Sequence, residues 1–358
     1  MEKVRVGIIG GGRITDLHIP GYRGLDTAEL VAVCDVNEQV AQKRAAQWGC
    51  RKWYTDYRAL LDDPEIDMVE VIVPHKLHAP VTIAAAQAGK HVSVQKPMAI
   101  NIEDCNAMIA AAKKAGVKLR VYENFVFYPP YRKAIELMNA GEIGEPRIMR
   151  IHMGGSAFGG WHVPLSVWLW RFSPQECGGG PILWDDGFHK FSLIIEMFGA
   201  VEVVSGWIDY ALGVIDAPFV ISWRHKNGVL GHLDCTMSPN VAMRGKYYVG
   251  DERVDIVGDR GSISVTRCTG QLNDEPSLIL YRDGQTVAFS DLRADWQDSF
   301  TDCTRDFIDA LINNREPKLT GERGVEVMRF SIATHEAAKK GKPVRPEEVS
   351  WSCLENND

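Results

Sequence analysis

The sequence has no pair of cysteines close enough along the chain to form a CxxC motif. The nearest of its eight cysteines, Cys34 and Cys50, are sixteen residues apart. This spacing indicates neither a zinc ribbon nor a dithiol redox site, so we predict no metal site. Reduced, mostly buried thiols are the simplest interpretation, and they predict a cytoplasmic location.

The sequence also lacks a long apolar run and an excess of positive charge. No apolar stretch approaches the roughly 20 residues that a membrane-spanning helix needs. The first residues, MEKVRVGIIGGG, contain no apolar segment followed by a cleavage site. Because the formal net charge is −7, we expect neither nucleic acid nor a membrane as the main partner.

The length of 358 residues exceeds what one hydrophobic core usually organises, so we expect two domains. Over residues 1–123, runs rich in Val and Ile alternate with helical stretches that end in glycine, which predicts an α/β domain with a parallel sheet. Asn101 is the predicted N-cap of one of these helices. Over residues 124–358, longer β-type runs and two closing helices predict an α+β domain with a large open, mostly antiparallel sheet.

A glycine turn follows the first predicted strand in VGIIGGGRIT. Such a turn lets the backbone approach a pyrophosphate, whose charge then faces the helix N-terminus. Gly10 and Gly12 take the first two fingerprint positions, but Thr15 takes the third, where Gly or Ala packs closest. Asp35 ends the second predicted strand near the offset of an acid that binds the adenosine ribose, and its charge favours NAD over NADP. The alternative is an ordinary turn without a ligand.

The segment VPHKLHAPVTIAAAQAGKHVSVQKPMA resembles the block TPxxxH…A…AGKHVxxEKPxA of the Gfo/Idh/MocA family, the glucose–fructose oxidoreductase and inositol dehydrogenase group. The resemblance continues through ENFVFYPPY, AGEIGEPR, WRFSPQECGGGPILWDDGFH and VDIVGDRGSISV, and covers nearly the whole chain. It implies a Rossmann domain followed by a substrate domain built on an open, mostly antiparallel sheet. The matching positions in the first block are Pro74, His78, Gly89, Lys90, His91, Lys96 and Pro97.

The resemblance implies that Lys96, Asp185 and His189 form the catalytic group. Asp185 and His189 match the family pattern D-x-x-x-H, and this spacing places both on one face of a helix. Oxidation of a secondary alcohol by NAD needs a base for the hydroxyl proton, and histidine suits reversible proton transfer near neutral pH. We therefore assign His189 as general acid/base, Lys96 to the reacting oxygen and Asp185 to a substrate hydroxyl. The alternatives are a solvated lysine, a packed core histidine and a helix-capping carboxylate.

Further candidate residues follow from the same resemblance and from the aromatic stretch before the catalytic segment. The predicted cofactor-binding residues are Gly10, Gly12, Arg13, Ile14, Asp35, Pro74, His78, Gln95, Lys96 and Asn124. The predicted substrate-binding residues are Tyr128, Trp161, His162, Trp170, Arg171, Asp185 and His189. Aromatic rings pack well against the C–H faces of sugars, although sheet–helix packing or a subunit interface would also explain the tryptophans.

Gln95 departs from the family block, in which glutamate usually precedes the lysine. It keeps an acceptor oxygen but loses the negative charge that would stabilise the protonated form of Lys96. We therefore predict that Gln95→Glu moves the pH–rate profile.

These features predict an NAD-dependent oxidoreductase acting on a secondary hydroxyl of a sugar, cyclitol or sugar derivative. A homodimer or homotetramer is expected, because one sheet face in this family commonly packs against another subunit. Two alternatives stay open. Some relatives use NAD to cleave glycosides without net redox, and a related fold could serve as a non-catalytic regulator that binds a sugar or a dinucleotide.

Overall fold

The computed structural model of the chain describes residues 2–156, 159–161, 167–238, 240–243, 245–248, 250–270 and 274–349. The chain divides into two compact units. The first unit comprises Met1–Asn124, Gln175–Gly178 and Phe300–Met328. The second unit comprises Phe125–Pro174, Gly179–Ser299 and Arg329–Asp358.

The regular elements of the described residues follow one another in an α/β pattern and then in a β-rich pattern. The strands are β1 (Val4–Ile9), β2 (Ala28–Cys34), β3 (Lys52–Tyr54), β4 (Met68–Val71), β5 (His91–Gln95), β6 (Leu119–Tyr122), β7 (Pro146–Gly155), β8 (Val201–Ala211), β9 (Ile215–His225), β10 (Leu230–Met237), β11 (Gly250–Gly258), β12 (Gly261–Val265), β13 (Leu278–Arg282) and β14 (Gln285–Phe289). The α-helices are α1 (Thr15–Tyr22), α2 (Glu38–Trp48), α3 (Tyr57–Leu61), α4 (His78–Gln87), α5 (Ile102–Ala115), α6 (Pro129–Asn139), α7 (Pro174–Cys177), α8 (Gly187–Phe198), α9 (Trp296–Ile312) and α10 (Gly321–Lys340).

The first unit is built on a parallel sheet with the strand order β3-β2-β1-β4-β5-β6. Its central strands are buried on both faces, which explains their continuous Val- and Ile-rich sequences. The predicted parallel α/β architecture is confirmed. Strand β3 was not predicted, since three residues are too few to show a periodic pattern.

A helix from the end of the chain completes the core of the first unit. Phe307, Ile308 and Leu311 of α9 pack in the same buried cluster as Val4 and Ile8 of β1. This packing places Phe300–Met328 in the first unit, although these residues lie far beyond the predicted boundary at residue 123.

The second unit is built on a sheet with the order β14-β13-β12-β11-β7-β10-β9-β8. Its neighbouring strands are antiparallel except for the parallel pair of β10 and β7, so the mostly antiparallel prediction is confirmed. Phe219, Ile221 and Trp223 of β9 are buried, whereas the residues between them are exposed. One face of the sheet therefore faces a core and the other is open.

Within the described part of the chain, no helix combines the length and the apolar character that crossing a bilayer requires.

Candidate active site

The glycine turn between β1 and α1 is closely packed on one side and open on the other. Gly10 has a φ of 110°, and a Cβ there would lie 1.9 Å from the carbonyl oxygen of Ile72, so the turn requires glycine. A Cβ on Gly12 would meet no atom of the described residues within 4 Å. The hydroxyl of Thr15 donates to the carbonyl of Gly10 at 3.0 Å. Thr15 therefore closes the turn by a hydrogen bond.

The carboxylate of Asp35 lies against the same turn. Its Oδ2 accepts the N–H of Gly11 at 2.9 Å and its Oδ1 accepts the N–H of Asn37 at 2.9 Å. A carboxylate offers about four lone-pair sites, so both oxygens can still accept hydroxyl groups. The turn and the carboxylate therefore fit a dinucleotide with its pyrophosphate on the glycine backbone and its adenosine ribose on Asp35.

The other predicted cofactor-binding residues of the first unit surround the ends of the same strands. Arg13 and Ile14 directly precede α1, and Pro74 precedes the 3₁₀ turn His75–Leu77. Asn124 is buried two residues after β6 ends. Their contact with a cofactor stays a prediction.

The turn after β5 carries Lys96 and is held from two sides. The side chain of Gln95 folds back so that its Oε1 accepts the N–H of Lys96 at 2.7 Å. The Lys96–Pro97 peptide bond is cis. The buried His78 has Nδ1 at 2.7 Å from the carbonyl oxygen of Pro97 and Nε2 at 2.9 Å from that of Val73. Within this unit His78 thus fixes the Lys96 turn.

Behind Gln95 lies a buried ionic group, the Glu70 cluster, which consists of His18, Tyr22, Glu70 and Arg120. The Oε2 of Glu70 accepts the hydroxyl of Tyr22 at 2.6 Å, and its Oε1 lies 3.0 Å from Nδ1 of His18. Arg120 reaches the same oxygen at 3.9 Å. Burial raises the pKa of Glu70, but His18, Arg120 and the Tyr22 hydrogen bond together lower it below its usual value.

The Glu70 cluster was not predicted from the sequence. The available signal was a charged residue in the middle of each of two apolar strands, VEV and LRVY. Asp, Glu, Arg and Lys are almost never fully buried unless they are paired. Two opposite charges in two buried strands of one sheet, on either side of β5, therefore indicate an internal ion pair.

In the second unit, Asp185 and His189 lie on two consecutive helical segments. Asp185 belongs to the π-helical segment Pro181–Asp186, and His189 belongs to α8, which follows directly. The spacing predicted a single helix, and the π-helical turn was not predicted. π-Helical turns are rare in proteins, and those that occur often lie at functional sites.

Asp216 of β9 holds the start of the π-helical segment. Its two carboxylate oxygens accept the N–H groups of Ile182 at 2.7 Å and Trp184 at 2.8 Å. A Cβ on Gly180 would lie 2.1 Å from the carboxylate carbon of Asp216, so glycine is required for this approach. Asp216 was also missed, because nothing in IDAPF separates it from an ordinary turn residue.

The side chains of Asp185 and His189 are both nearly buried and both have a fixed neighbour. Each residue is 6% exposed. The Nε of Arg171 donates to Oδ2 of Asp185 at 2.6 Å. The guanidinium carbon of Arg171 lies 4.8 Å from the ring centroid of Trp168 and 4.3 Å from that of Trp170. The imidazole of His189 stacks on another aromatic ring, that of Phe125, with centroids 4.2 Å apart and an interplanar angle of 16°.

Next to His189 lies a second ionic group, the Lys190 cluster, which consists of the buried Lys190 and Glu252 and of the partly exposed Asp186. Lys190 pairs with Asp186 at 3.0 Å and with Glu252, and its Nζ lies 4.5 Å from the centroid of the Phe125 ring. Burial lowers the pKa of Lys190, but the two carboxylates together raise it above its usual value. The ring that supports His189 therefore also contacts a buried cation.

The remaining candidates of the second unit have these positions. Tyr128 is buried, and its hydroxyl donates to the carbonyl of Ala294 at 3.0 Å. Trp161 packs edge-on against Tyr247 and Tyr248, with centroid distances of 5.4 and 5.7 Å. His162 lies outside the described residues. The substrate contacts of these residues stay predictions.

The three predicted catalytic residues are divided between the two units. Lys96 lies in the first, whereas Asp185 and His189 lie in the second. Their assembly into one site stays a prediction.

Comparison with known proteins identifies both parts of the chain. Residues 4–123 match the model of an oxidoreductase family with an NAD-binding Rossmann fold, and residues 131–264 match the GFO/IDH/MocA C-terminal domain. The chain is 30% identical over 357 residues to the myo-inositol 2-dehydrogenase of Thermotoga maritima, covering 97% of this chain and 99% of the relative. It is 29% identical over 297 residues to the levoglucosan dehydrogenase of Pseudarthrobacter phenanthrenivorans, covering 74% and 73%.

A solved structure agrees with these matches along the whole chain. The probable dehydrogenase from Thermotoga maritima has a TM-score of 0.79 and 28% identity, covering 97% of this chain and 100% of that one. The predicted family resemblance, the Rossmann fold and NAD as cofactor are therefore confirmed. The chain is a member of the Gfo/Idh/MocA family of oxidoreductases, with an NAD-binding Rossmann domain at its N-terminal end.

Proposed function

We propose that the protein is an NAD-dependent dehydrogenase or reductase that acts on a secondary hydroxyl of a sugar, cyclitol or sugar derivative. The observation that carries this proposal is the pair of side chains in the second unit. A buried imidazole, His189, follows four residues after a carboxylate, Asp185, that Arg171 holds in place. The names of the two curated relatives, which refer to myo-inositol and levoglucosan, support the class of substrate.

Each proposed catalytic residue has a separate task. When bound, NAD supplies the hydride acceptor, and NADH supplies the donor in the reverse direction. His189 removes the hydroxyl proton, and stacking on Phe125 keeps its ring in one plane. Lys96 stabilises the negative charge that develops on the reacting oxygen. Asp185 accepts a hydrogen bond from a further substrate hydroxyl and orients the ring.

The charges of the second unit favour a neutral polyol over a sugar acid. Arg171 could in principle bind a substrate carboxylate, but its Nε already donates to Asp185 and its guanidinium group lies over two tryptophan rings. The Arg171–Asp185 pair has no net charge. Tryptophan faces beside it suit the C–H face of a sugar ring.

The test is NADH formation with a panel of inositols, aldoses, glycosides and sugar acids. Loss of a general acid or base typically costs 10²–10⁴-fold in rate, so we expect kcat to fall at least about 100-fold in Lys96→Ala and His189→Ala. His189→Ala should still bind NAD. Lys113→Ala removes an exposed lysine of α5 that pairs with Glu322 and is the matched control. Full activity of both catalytic variants would show that the assignment is wrong.

The same panel decides between this proposal and its alternatives. Redox-assisted cleavage would consume a glycoside with catalytic NAD and without accumulation of NADH, whereas stoichiometric NADH excludes that route for the substrate concerned. A non-catalytic regulator would bind NAD and turn over no member of the panel.

We also propose that the open face of the second sheet binds another copy of the chain, as a homodimer or homotetramer. Trp207 of β8 and Val220 of β9 are paired across the two strands, and both are exposed, Trp207 by 76%. Burial of this apolar surface would stabilise an oligomer. Sedimentation of Trp207→Arg should show a lower mass than the wild type. A cytoplasmic location is part of the same proposal and agrees with the free thiols of the described cysteines.

A further inference from the structure

A chain of hydrogen bonds connects the Glu70 cluster to the backbone of Lys96, and its donors can be assigned. The N–H of Lys96 can only donate, so the atom 2.7 Å from it is the carboxamide oxygen of Gln95. The carboxamide nitrogen of Gln95 therefore faces Nε2 of His18, at 3.0 Å. Because an amide NH₂ group donates and does not accept, Nε2 of His18 is the unprotonated acceptor.

The proton of His18 then lies on the other ring nitrogen. Its Nδ1 donates to Oε1 of Glu70 at 3.0 Å, which is the tautomer that a carboxylate stabilises. His18 has no exposed surface, and its ring centroid lies 3.9 Å from that of Tyr122. Both ring nitrogens are therefore bonded to protein atoms in a site closed to bulk water.

We propose that His18, in its neutral Nδ1–H form, is the positioning residue of Gln95 and takes up a proton when residue 95 carries a negative charge. With Gln95, the chain of groups contains one carboxylate, Glu70, and one guanidinium group, Arg120. With glutamate at position 95, carboxylates would face both nitrogens of His18. The imidazole would then bind one proton from solvent, and the resulting imidazolium would cancel the added charge where it arises.

Gln95→Glu is therefore expected to act differently from what the sequence alone predicts. From the sequence, the added charge is expected to stabilise the protonated form of Lys96. In the structure, Nε2 of His18 lies 3.0 Å from the carboxamide nitrogen of Gln95, so a carboxylate at this position would face His18 directly and could be neutralised by it. The link from Gln95 to a catalytic lysine rests on the proposed function, whereas the hydrogen-bond chain does not.

The other titratable groups around His18 keep their charge or their proton near neutral pH. The titratable and charged groups that face it or lie behind it are Tyr22 of α1, Glu70 of β4, Arg120 and Tyr122 of β6, and Cys303 of α9. Burial raises the pKa of both tyrosines and of the thiol, so these groups stay protonated. The carboxylate and the guanidinium group stay charged.

The first experiment is NMR of the full-length protein with ¹⁵N-labelled histidine, and it requires no substrate. His18→Gln identifies the signals of His18 by their absence. We expect the neutral Nδ1–H tautomer in the wild type from about pH 6 to 8 and a doubly protonated ring in Gln95→Glu over the same range. Gln87→Glu adds the same charge at the exposed end of α4 and should leave the signals unchanged. An Nε2–H tautomer in the wild type, or a neutral ring in Gln95→Glu, would overturn the proposal.

The second experiment compares the pH dependence of kcat in two backgrounds. Glutamine at position 18 can donate and accept hydrogen bonds but cannot take up a proton. We expect Gln95→Glu to move the alkaline limb by less than about 0.3 pH unit in the wild type and by about one unit in His18→Gln. Equal shifts would refute the role of His18. If no substrate of the panel turns over, the proposed function fails, while the NMR result still decides this proposal.

His18→Gln could fail to fold, since the residue is fully buried. The wild type and Gln95→Glu then suffice, because His18 is the ring that the substitution contacts directly. A spectrum in which no histidine ring changes its protonation between these two proteins would refute the proposal.

Discussion

Each unit contains an ionic group with a buried central charge close to a predicted catalytic residue, and the two central charges have opposite signs. In the first unit the centre is an anion, Glu70, which accepts hydrogen bonds from His18 and Tyr22 and has Arg120 as its counter-charge. In the second unit the centre is a cation, Lys190, between two carboxylates. The first group is connected to Gln95 by hydrogen bonds, whereas the second contacts the Phe125 ring beneath His189.

The difference between the two clusters predicts which charges are left without a counter-charge when the central residue is replaced by a neutral one. Without Glu70, one guanidinium group remains, and it still has neutral partners: the Ser93 hydroxyl, the Cys303 carbonyl and two aromatic faces. Without Lys190, two carboxylates remain close together, of which Glu252 is buried and Asp186 has a partly exposed side chain. Uncompensated buried charge is costly, and like charges add to that cost. The second unit should therefore tolerate loss of its centre less well than the first.

The largest effect is expected for Lys190→Met. Breaking a buried ion pair by removing one partner typically costs about 3–5 kcal/mol, and we expect a loss of this size in the free energy of unfolding. Urea unfolding followed by tryptophan fluorescence measures it. The double variant Lys190→Met/Glu252→Gln should recover part of the loss, because one of the two uncompensated charges is removed. A single variant as stable as the wild type would show that the lysine is not required to balance the carboxylates.

A smaller effect is expected for Glu70→Gln. The amide can still accept the Tyr22 hydroxyl, and Arg120 keeps its neutral partners, so we expect a loss of about 2–3 kcal/mol in the same measurement. Glu29→Gln is the control, because Glu29 forms only surface ion pairs with Lys3 and Arg51 among the partners identified for it. A loss of unfolding free energy larger than that of Lys190→Met would contradict the expected difference between the two units.

Asp63 is a buried carboxylate whose counter-charge, Lys52, is partly exposed. Burial raises the pKa of Asp63, but hydrogen bonds from Lys52, the Glu65 N–H and Tyr54 lower it from 3.8 to about 2. Because the folded-state pKa lies below the unfolded one, the stabilisation is present above about pH 4 and is lost as the pH falls towards 2. Asp63→Asn should lower the unfolding free energy at pH 7 by about 1–2 kcal/mol.

The decrease of the unfolding free energy at acid pH is the measurement that tests the role of Asp63. Urea unfolding between pH 2 and 7 should show a flatter decrease below pH 4 in Asp63→Asn than in the wild type. An unchanged slope would contradict the assignment of the lowered pKa to this residue.

The smallest effect is expected at a helix start. In the first unit Asn101 caps α5, where its Oδ1 accepts the N–H of Asp104 at 2.7 Å. Loss of such a cap costs about 1 kcal/mol, which we expect for Asn101→Ala. In the second unit Asp186 precedes α8 without a side-chain cap and binds Lys190 instead. Asp186→Ala should therefore destabilise the protein more than Asn101→Ala, and the reverse order would refute this difference.

Local patterns predicted much of the fold. The alternation of strands and helices in the first unit was visible because its strands are buried on both faces, and the Asn101 cap has a recognisable residue type at a recognisable place. The return of α9 to the first sheet could not be predicted from periodicity. Its amphipathic pattern shows that one face is buried but does not show against which sheet.

The residues of the candidate site that could be predicted are those that lie close together in the sequence or within the family motifs. Lys96, Asp185 and His189 stand in short motifs, so they could be selected from the sequence. Their supporting groups come from distant positions: His18 is 77 residues from Gln95, and Glu252 is 62 residues from Lys190. Such pairings follow from strand order and packing, which a single sequence does not specify.

For enzyme engineering, the hydrogen bonds of Asp216 indicate which positions near Asp185 can be varied and which must be kept. Its carboxylate anchors the backbone leading to Asp185 from the side of β9, independently of the tryptophans beside Arg171. A library at Trp168 and Trp170 would change the surface offered to a substrate while that backbone keeps its anchor. Any side chain at Gly180 would collide with the anchoring carboxylate. Selection for new substrates should therefore randomise the two tryptophans and keep the glycine and the aspartate.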